Sequence, residues 1–167
     1  MDIVNKVAQS GIITLELDKQ IDDKQIILFD LKDYLFQGLV LREKVFRQNL
    51  KDLDTQAFRN KHVGVHCSND AIIPLWAYML ISSKLHNICT SITFGDKSNV
   101  EEQIISNWIA ELNPKDFENK RIVIKGCFDK AIPTSAYIKI TQKLQPVVKS
   151  IMYGEPCSTV PVYKQKK

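Results

Sequence analysis

Apolar residues run through this chain in short strand-like stretches, separated by longer segments with helical spacing. The second half does this most regularly. Val63 to His66 predicts a strand. Pro74 to Leu85 predicts a helix that is apolar on nearly every side (Leu75, Trp76, Ala77, Tyr78, Met79), and therefore buried. Proline suits its first turn, where the missing N–H costs nothing. Ser91 to Phe94 is a strand ending in Gly95. Ser98 and Glu101 have the spacing of a capping box, and the helix behind them presents Val100, Ile104, Ile105, Trp108, Ile109 and Leu112 on one face until Pro114. Arg121 to Lys125 is a strand, Pro133 to Leu144 a helix stopped by Pro146, and Val147 to Tyr153 the last strand.

The first sixty residues are less regular. Ile3 to Ala8 has the spacing of a short amphipathic helix, stopped by Gly11. Ile12 to Leu17 and Gln25 to Phe29 read as strands joined through Asp22-Asp23-Lys24, in the manner of a hairpin. Leu31 to Gln37 suggests a helical turn or two closed by Gly38, and Leu41 to Leu53 a helix. Strands alternating with helices imply an α/β fold, a mostly parallel sheet of βαβ units over residues 62–153 with helices on its faces. The expected organisation is one domain of 1–167: an N-terminal α+β extension (1–60) contributing edge strands and a covering helix, and an α/β core (61–167).

One segment recurs. Val65-His66-Cys67 leads through Ser68-Asn69-Asp70 to Ala71-Ile72-Ile73-Pro74 and a helix with Ala77-Tyr78. Lys125-Gly126-Cys127 leads through Phe128-Asp129 to Ala131-Ile132-Pro133 and a helix with Ala136-Tyr137. A third cysteine lies in Gly154-Glu155-Pro156-Cys157, after the last strand. Open α/β sheets bind ligands beyond the carboxyl ends of their strands. If the strands are parallel neighbours, Cys67, Cys127 and Cys157 meet at one such edge. Thiolates crowded beside Asp70, Asp129 and Glu155 would repel one another, and a bound cation resolves that conflict. The competing reading is that buried cysteines are small apolar residues. Cys89 precedes a strand, lies at the opposite edge, and reads as packing. His66 points away from Cys67 by strand alternation, His62 and His86 read as surface residues, and Tyr78 and Tyr137 as core-facing. Asp70 and Asp129 serve equally well as caps of their own loops.

Composition narrows the classes. At 44% hydrophobic and 25% charged the chain is an ordinary globular sequence. Its net charge of +4 is concentrated only in Lys164-Gln165-Lys166-Lys167, so no nucleic-acid surface is expected. No apolar run suits a membrane span and the start does not resemble a signal peptide, which gives a cytoplasmic address with reduced thiols as the expectation. The four cysteines stand 22, 38 and 30 residues apart, so no local C-x-x-C motif exists and any joint site must be assembled by folding. Dinucleotide, P-loop, zincin and α/β-hydrolase motifs are missing from the sequence.

The stretches around Cys67, Ile124 to Cys127 and Ser150 to Pro161, with Asp2 to Ala8 and Phe29 to Gly38, resemble an uncharacterised bacterial family, the domain of unknown function 2480. That resemblance implies an association with iron–sulfur assembly proteins and nudges the reading toward metal or sulfur handling. The leading expectation is a metal-binding protein. It holds zinc or iron, alone or as an iron–sulfur centre, through Cys67, Cys127 and Cys157, with Asp129, Glu155 or water completing the shell. The second is an enzyme of thiol exchange or sulfur transfer, with Cys157 or Cys67 as nucleophile. The third is a small-anion binding module with structural cysteines. A homodimer is compatible with all three.

Overall fold

The structure is a computed structural model that describes residues 11–125, 130–155 and 158–166. The chain gathers into two compact units, Met1–Ile21 with Ile104–Lys167, and Asp22–Gln103. Each holds a sheet of mainly parallel strands, as the α/β pattern predicts.

The Asp22–Gln103 unit has strand order β2-β5-β6, all parallel: β2 is Ile26–Asp30, β5 His62–His66 and β6 Ser91–Phe94. A two-stranded ribbon of β3 (Leu35–Phe36) and β4 (Val40–Leu41) and the helix α1 (Glu43–Asp52) lie between β2 and β5 in sequence. Helix α2 (Leu75–Leu85) joins β5 to β6. Phe29, Leu31, Phe46, Leu50, Val63 and Ile81 belong to one buried core, with Phe46 1% exposed. Tyr34 stacks on Phe29 and meets Phe46 edge-on.

In the other unit the order is β1-β7-β8-β9. Strands β1 (Ile12–Leu15), β7 (Arg121–Ile124) and β8 (Ser150–Glu155) are parallel, and β9 (Ser158–Lys164) runs antiparallel to β8 with a bulge at Ile151/Met152. Helix α4 (Thr134–Leu144) joins β7 to β8. Helix α3 (Lys97–Glu111) leads from β6 toward β7.

From Phe58 onward, compared element by element, the units repeat one another at a constant spacing of 59 residues. Val63 and Val65 pair with Ile92 and Phe94 as Ile122 and Ile124 pair with Ile151 and Tyr153. Buried Phe58, Ala77, Ile81 and Leu85 correspond to buried Phe117, Ala136, Ile140 and Leu144. Asn60 and Asn119 both have φ 58, and Gly95 and Gly154 have φ 124 and 123, a region L side chains avoid. Strand β1 stands to β7 as β2 stands to β5.

Several expectations need correction. The strands of residues 62–153 form two sheets and not one. The reason lies in the edges: β7 is flanked by β1 and β8, so it has no side left for β6. The two N-terminal strands are edge strands as expected, yet not a hairpin. Asp22 caps a tight 3-10 turn at Asp23–Gln25, its Oδ1 accepting from the Lys24 amide at 3.0 Å, and β1 and β2 depart to different sheets. Helix α2 buries only Ala77, Ile81 and Leu85, because the sheet covers one of its sides; Leu75 and Met79 are exposed. The box at the start of α3 sits two residues early. Asp96 Oδ1 accepts from the Ser98 and Asn99 amides (2.9 and 3.3 Å), and Asn99 Oδ1 accepts from the Asp96 amide at 3.0 Å. Strand β9 was not foreseen. Pro161 breaks its sequence signature but is tolerated on an edge strand. The predicted helix of Ile3 to Ala8 lies outside the described residues.

Candidate functional site at the carboxyl ends of the strands

In the Asp22–Gln103 unit, β2 and β5 end on a paired Asp30 and His66. Asp30 Oδ1 accepts from the amides of Lys32 and Ser68, both at 3.0 Å, while Oδ2 lies 3.9 Å from His66 Nε2. One carboxylate thereby caps the turn after β2 and holds the loop after β5. Burial pushes its pKa up, but the Ser68 and Lys32 hydrogen bonds and the His66 ring outweigh that and bring it down to about 2. The other side of the loop is tied by Asn69, whose Nδ2 donates to the Gly38 carbonyl at 3.1 Å. Immediately before these ties sits Cys67, half-buried, with a free thiol packed against the unit's core. Its field acts on Tyr78, whose pKa is raised first by burial and then by Cys67. Asp96, at the end of β6, has its carboxyl lowered chiefly by Ser98 and also by His66.

The same three positions recur in the other unit with different chemistry. Glu16 follows β1 as Asp30 ends β2, Lys125 takes the place of His66, and Glu155 that of Asp96. Lys125 Nζ lies 2.9 Å from Glu16 Oε1, and Glu16 also pairs with Lys19. Glu16 is lowered by these two lysines, and Lys125 is raised by Glu16 first, with Glu155 and Asp18 contributing. Among the described residues, Oδ1 of Asp18 and Oε1 of Glu155 are buried without a hydrogen-bond partner.

Of the residues singled out by sequence, Cys67 and Glu155 fall in these two arrays, whereas Cys127, Asp129 and Cys157 lie outside the described residues. Cys67 follows β5, and Cys127 comes after β7 of the other sheet, so strand adjacency does not bring these two together. Strands β7 and β8, which lead to Cys127 and Cys157, are direct neighbours. The 59-residue register also shifts the repeat by one: Cys127 corresponds to Ser68 and Cys67 to Gly126. Among the described residues no three His, Cys, Asp or Glu side chains converge to hold a metal. Cys89 behaves as expected. It packs on the core, its Sγ donates to the Leu85 carbonyl at 3.4 Å, and burial raises its pKa. Asp70 and His86 are exposed. His62 is not a simple surface residue: its Nδ1 lies 2.8 Å from Ser91 Oγ, and burial lowers its pKa.

Sequence reasoning missed Glu16, Asp18, Asp30 and Lys125. A signal was present in Leu15-Glu16-Leu17 and Phe29-Asp30-Leu31, an acidic residue between two apolar ones at the end of each first strand. Tyr78 packs against the core as expected, and each tyrosine also meets an aromatic ring of the neighbouring strand. Tyr78 meets Phe94 edge-on at 5.5 Å and Tyr137 meets Tyr153 at 5.8 Å. Each pair lines a groove, of about 830 Å³ between α2 and β6 and about 570 Å³ between α4 and β8.

No described helix is long and apolar enough to cross a membrane. The family model described as "Protein of unknown function (DUF2480)" matches residues 1–165. No curated protein and no solved structure matches the chain.

Proposed function

The chain belongs to this family, and we propose that it binds a transition-metal ion, zinc or iron, at the carboxyl end of the β1-β7-β8-β9 sheet. Cys127 and Cys157 are the thiolate ligands, with Glu155 and Asp129 or water completing the shell. Cys67 belongs to the other unit's array and is left out of this ligand set. The carrying observation is the pair of buried carboxylate oxygens, Asp18 Oδ1 and Glu155 Oε1, that accept no hydrogen bond among the described residues. Leaving a buried acceptor unpaired costs about 1–3 kcal/mol, and more when it is charged. Lys125 is within the field of both but is already bonded to Glu16. An additional cation offsets that cost and holds nearby thiols deprotonated. Thiolates with a carboxylate suit zinc or iron far better than magnesium or calcium. Iron would favour an accessory role in iron–sulfur metabolism, and zinc a structural or Lewis-acid ion.

The test is elemental analysis of protein purified anaerobically without a histidine tag. Near-stoichiometric zinc or iron is expected in the wild type and in Cys67→Ser, with loss in the Cys127→Ser/Cys157→Ser double variant. Glu155→Gln should weaken binding by about ten-fold or more. A metal-free wild type in which one thiol alkylates far faster than the rest would refute the reading and favour thiol chemistry.

A further inference from the structure

The two repeats differ at one edge. In one unit the outer side of β8 is covered by antiparallel β9, and Val162 of β9 lines the groove beside α4. In the other, β6 occupies the corresponding place and, among the described residues, has no strand on its outer side. The groove beside α2 is the larger of the two and open. Leu75, Met79 and Phe94 line it, 79%, 71% and 74% exposed.

We propose that a second copy of this chain fills that place, with β6 pairing antiparallel to the partner's β6 about a two-fold axis. Three observations favour self-pairing. First, the repeat shows what this edge accommodates, since its counterpart is completed by an antiparallel strand. A two-fold axis normal to the sheet supplies an antiparallel partner automatically. Second, the edge carries none of the charged or proline residues that protect exposed strands: it reads Ser91-Ile92-Thr93-Phe94. Third, the edge offers apolar area. At roughly 200 Å² for a fully exposed large side chain, the three side chains present on the order of 450 Å². That is over half of the ~800 Å² per partner of a standard interface, and strand pairing itself adds to it. Symmetry also fixes the register class. Ile92 and Phe94 share the α2 side of the sheet, so the axis must pass through a residue facing its own copy, Ile92 or Thr93. The product is a continuous six-stranded sheet with both α2 helices on one side.

Sedimentation velocity on the full chain from 1 to 100 µM tests this. The wild type should be a dimer. Phe94→Lys and Met79→Glu, both at exposed positions, should each weaken dimerisation by ten-fold or more, with unchanged circular dichroism. Ile138→Glu, the equivalent of Met79 in the other repeat, should leave the dimer intact. A monomeric wild type at 100 µM overturns the proposal, as does a dimer indifferent to both β6-side variants or equally sensitive to Ile138→Glu. A monomer that Phe94→Lys destabilises would assign the groove to a segment of the same chain, and overturns it too.

Discussion

Replacing Asp30 with asparagine isolates the charge from the shape at the end of β2. The amide oxygen can still accept from the Lys32 and Ser68 amides that Asp30 holds at 3.0 Å. What disappears is the negative charge that the Ser68 and Lys32 hydrogen bonds, and to a smaller extent His66, stabilise. In the folded protein the carboxyl titrates at about 2, against its ordinary 3.8. At ~1.4 kcal/mol per unit, that depression corresponds to an upper figure near 2.5 kcal/mol. The side chain is 19% exposed, and screening by water reduces the expected contribution to about 1–2 kcal/mol. The sign follows from proton counting. Because the folded pKa is depressed, the unfolded chain binds more protons between the two values. The stability is fully present above pH ~4 and is lost as the pH falls through about 2. Urea unfolding followed by tryptophan fluorescence and circular dichroism, at pH 7 and at steps from 5 to 2, measures both effects. Asp30→Asn should be about 1–2 kcal/mol less stable at pH 7, a melting shift of roughly 2–8 °C for a chain of this size. The difference should shrink toward zero at the acid end. An equal pH slope in both proteins would refute the account of Asp30 as the acid-sensitive tie of the Cys67 loop.

Two further outcomes follow from packing. Gly95→Ala should cost at least about 2 kcal/mol in the same urea assay, since the added Cβ would lie 2.1 Å from Asn99 Oδ1 on a backbone at φ 124. Cys89 should react with a maleimide or disulfide reagent at pH 7 more slowly than free glutathione, because burial raises its pKa and its thiol is bonded to Leu85; labelling followed by peptide mass spectrometry reads this directly.

Most elements of the core were legible because their periodicity and their punctuation agree. Ser91 to Phe94 is a strand as read, and α2 and α4 begin one residue after Pro74 and Pro133. Pairing was less accessible. Whether β7 meets β5, β6 or β1 depends on which apolar strand reaches its edge first in three dimensions, and four-residue runs such as Ile12–Leu15 carry no label for their partner. The recurring segment was visible as a repeat, but lining up the cysteines hid its spacing. The strand and helix registers on both sides of the loop fix it at 59. Helix α2 looks buried in composition and is half open, because hydropathy records what a residue prefers and not whether a second layer exists to cover it. The acidic residues closing β1 and β2 escaped notice since a lone carboxylate after a strand is common, and its value emerges only when a cation stands on the next strand.

Strand β1, Ile12–Leu15, is separated from its partner β7 by more than a hundred residues, since β7 begins at Arg121. The Asp22–Gln103 unit, by contrast, is one uninterrupted stretch of chain. It can complete its sheet during synthesis, whereas β1 must wait as an unpaired apolar strand until more than a hundred further residues have been translated. Loop closure over that distance is slow and exposes the waiting strand to association. Birth order thus runs against contact order in this molecule: a strand made well before its partner is settled late.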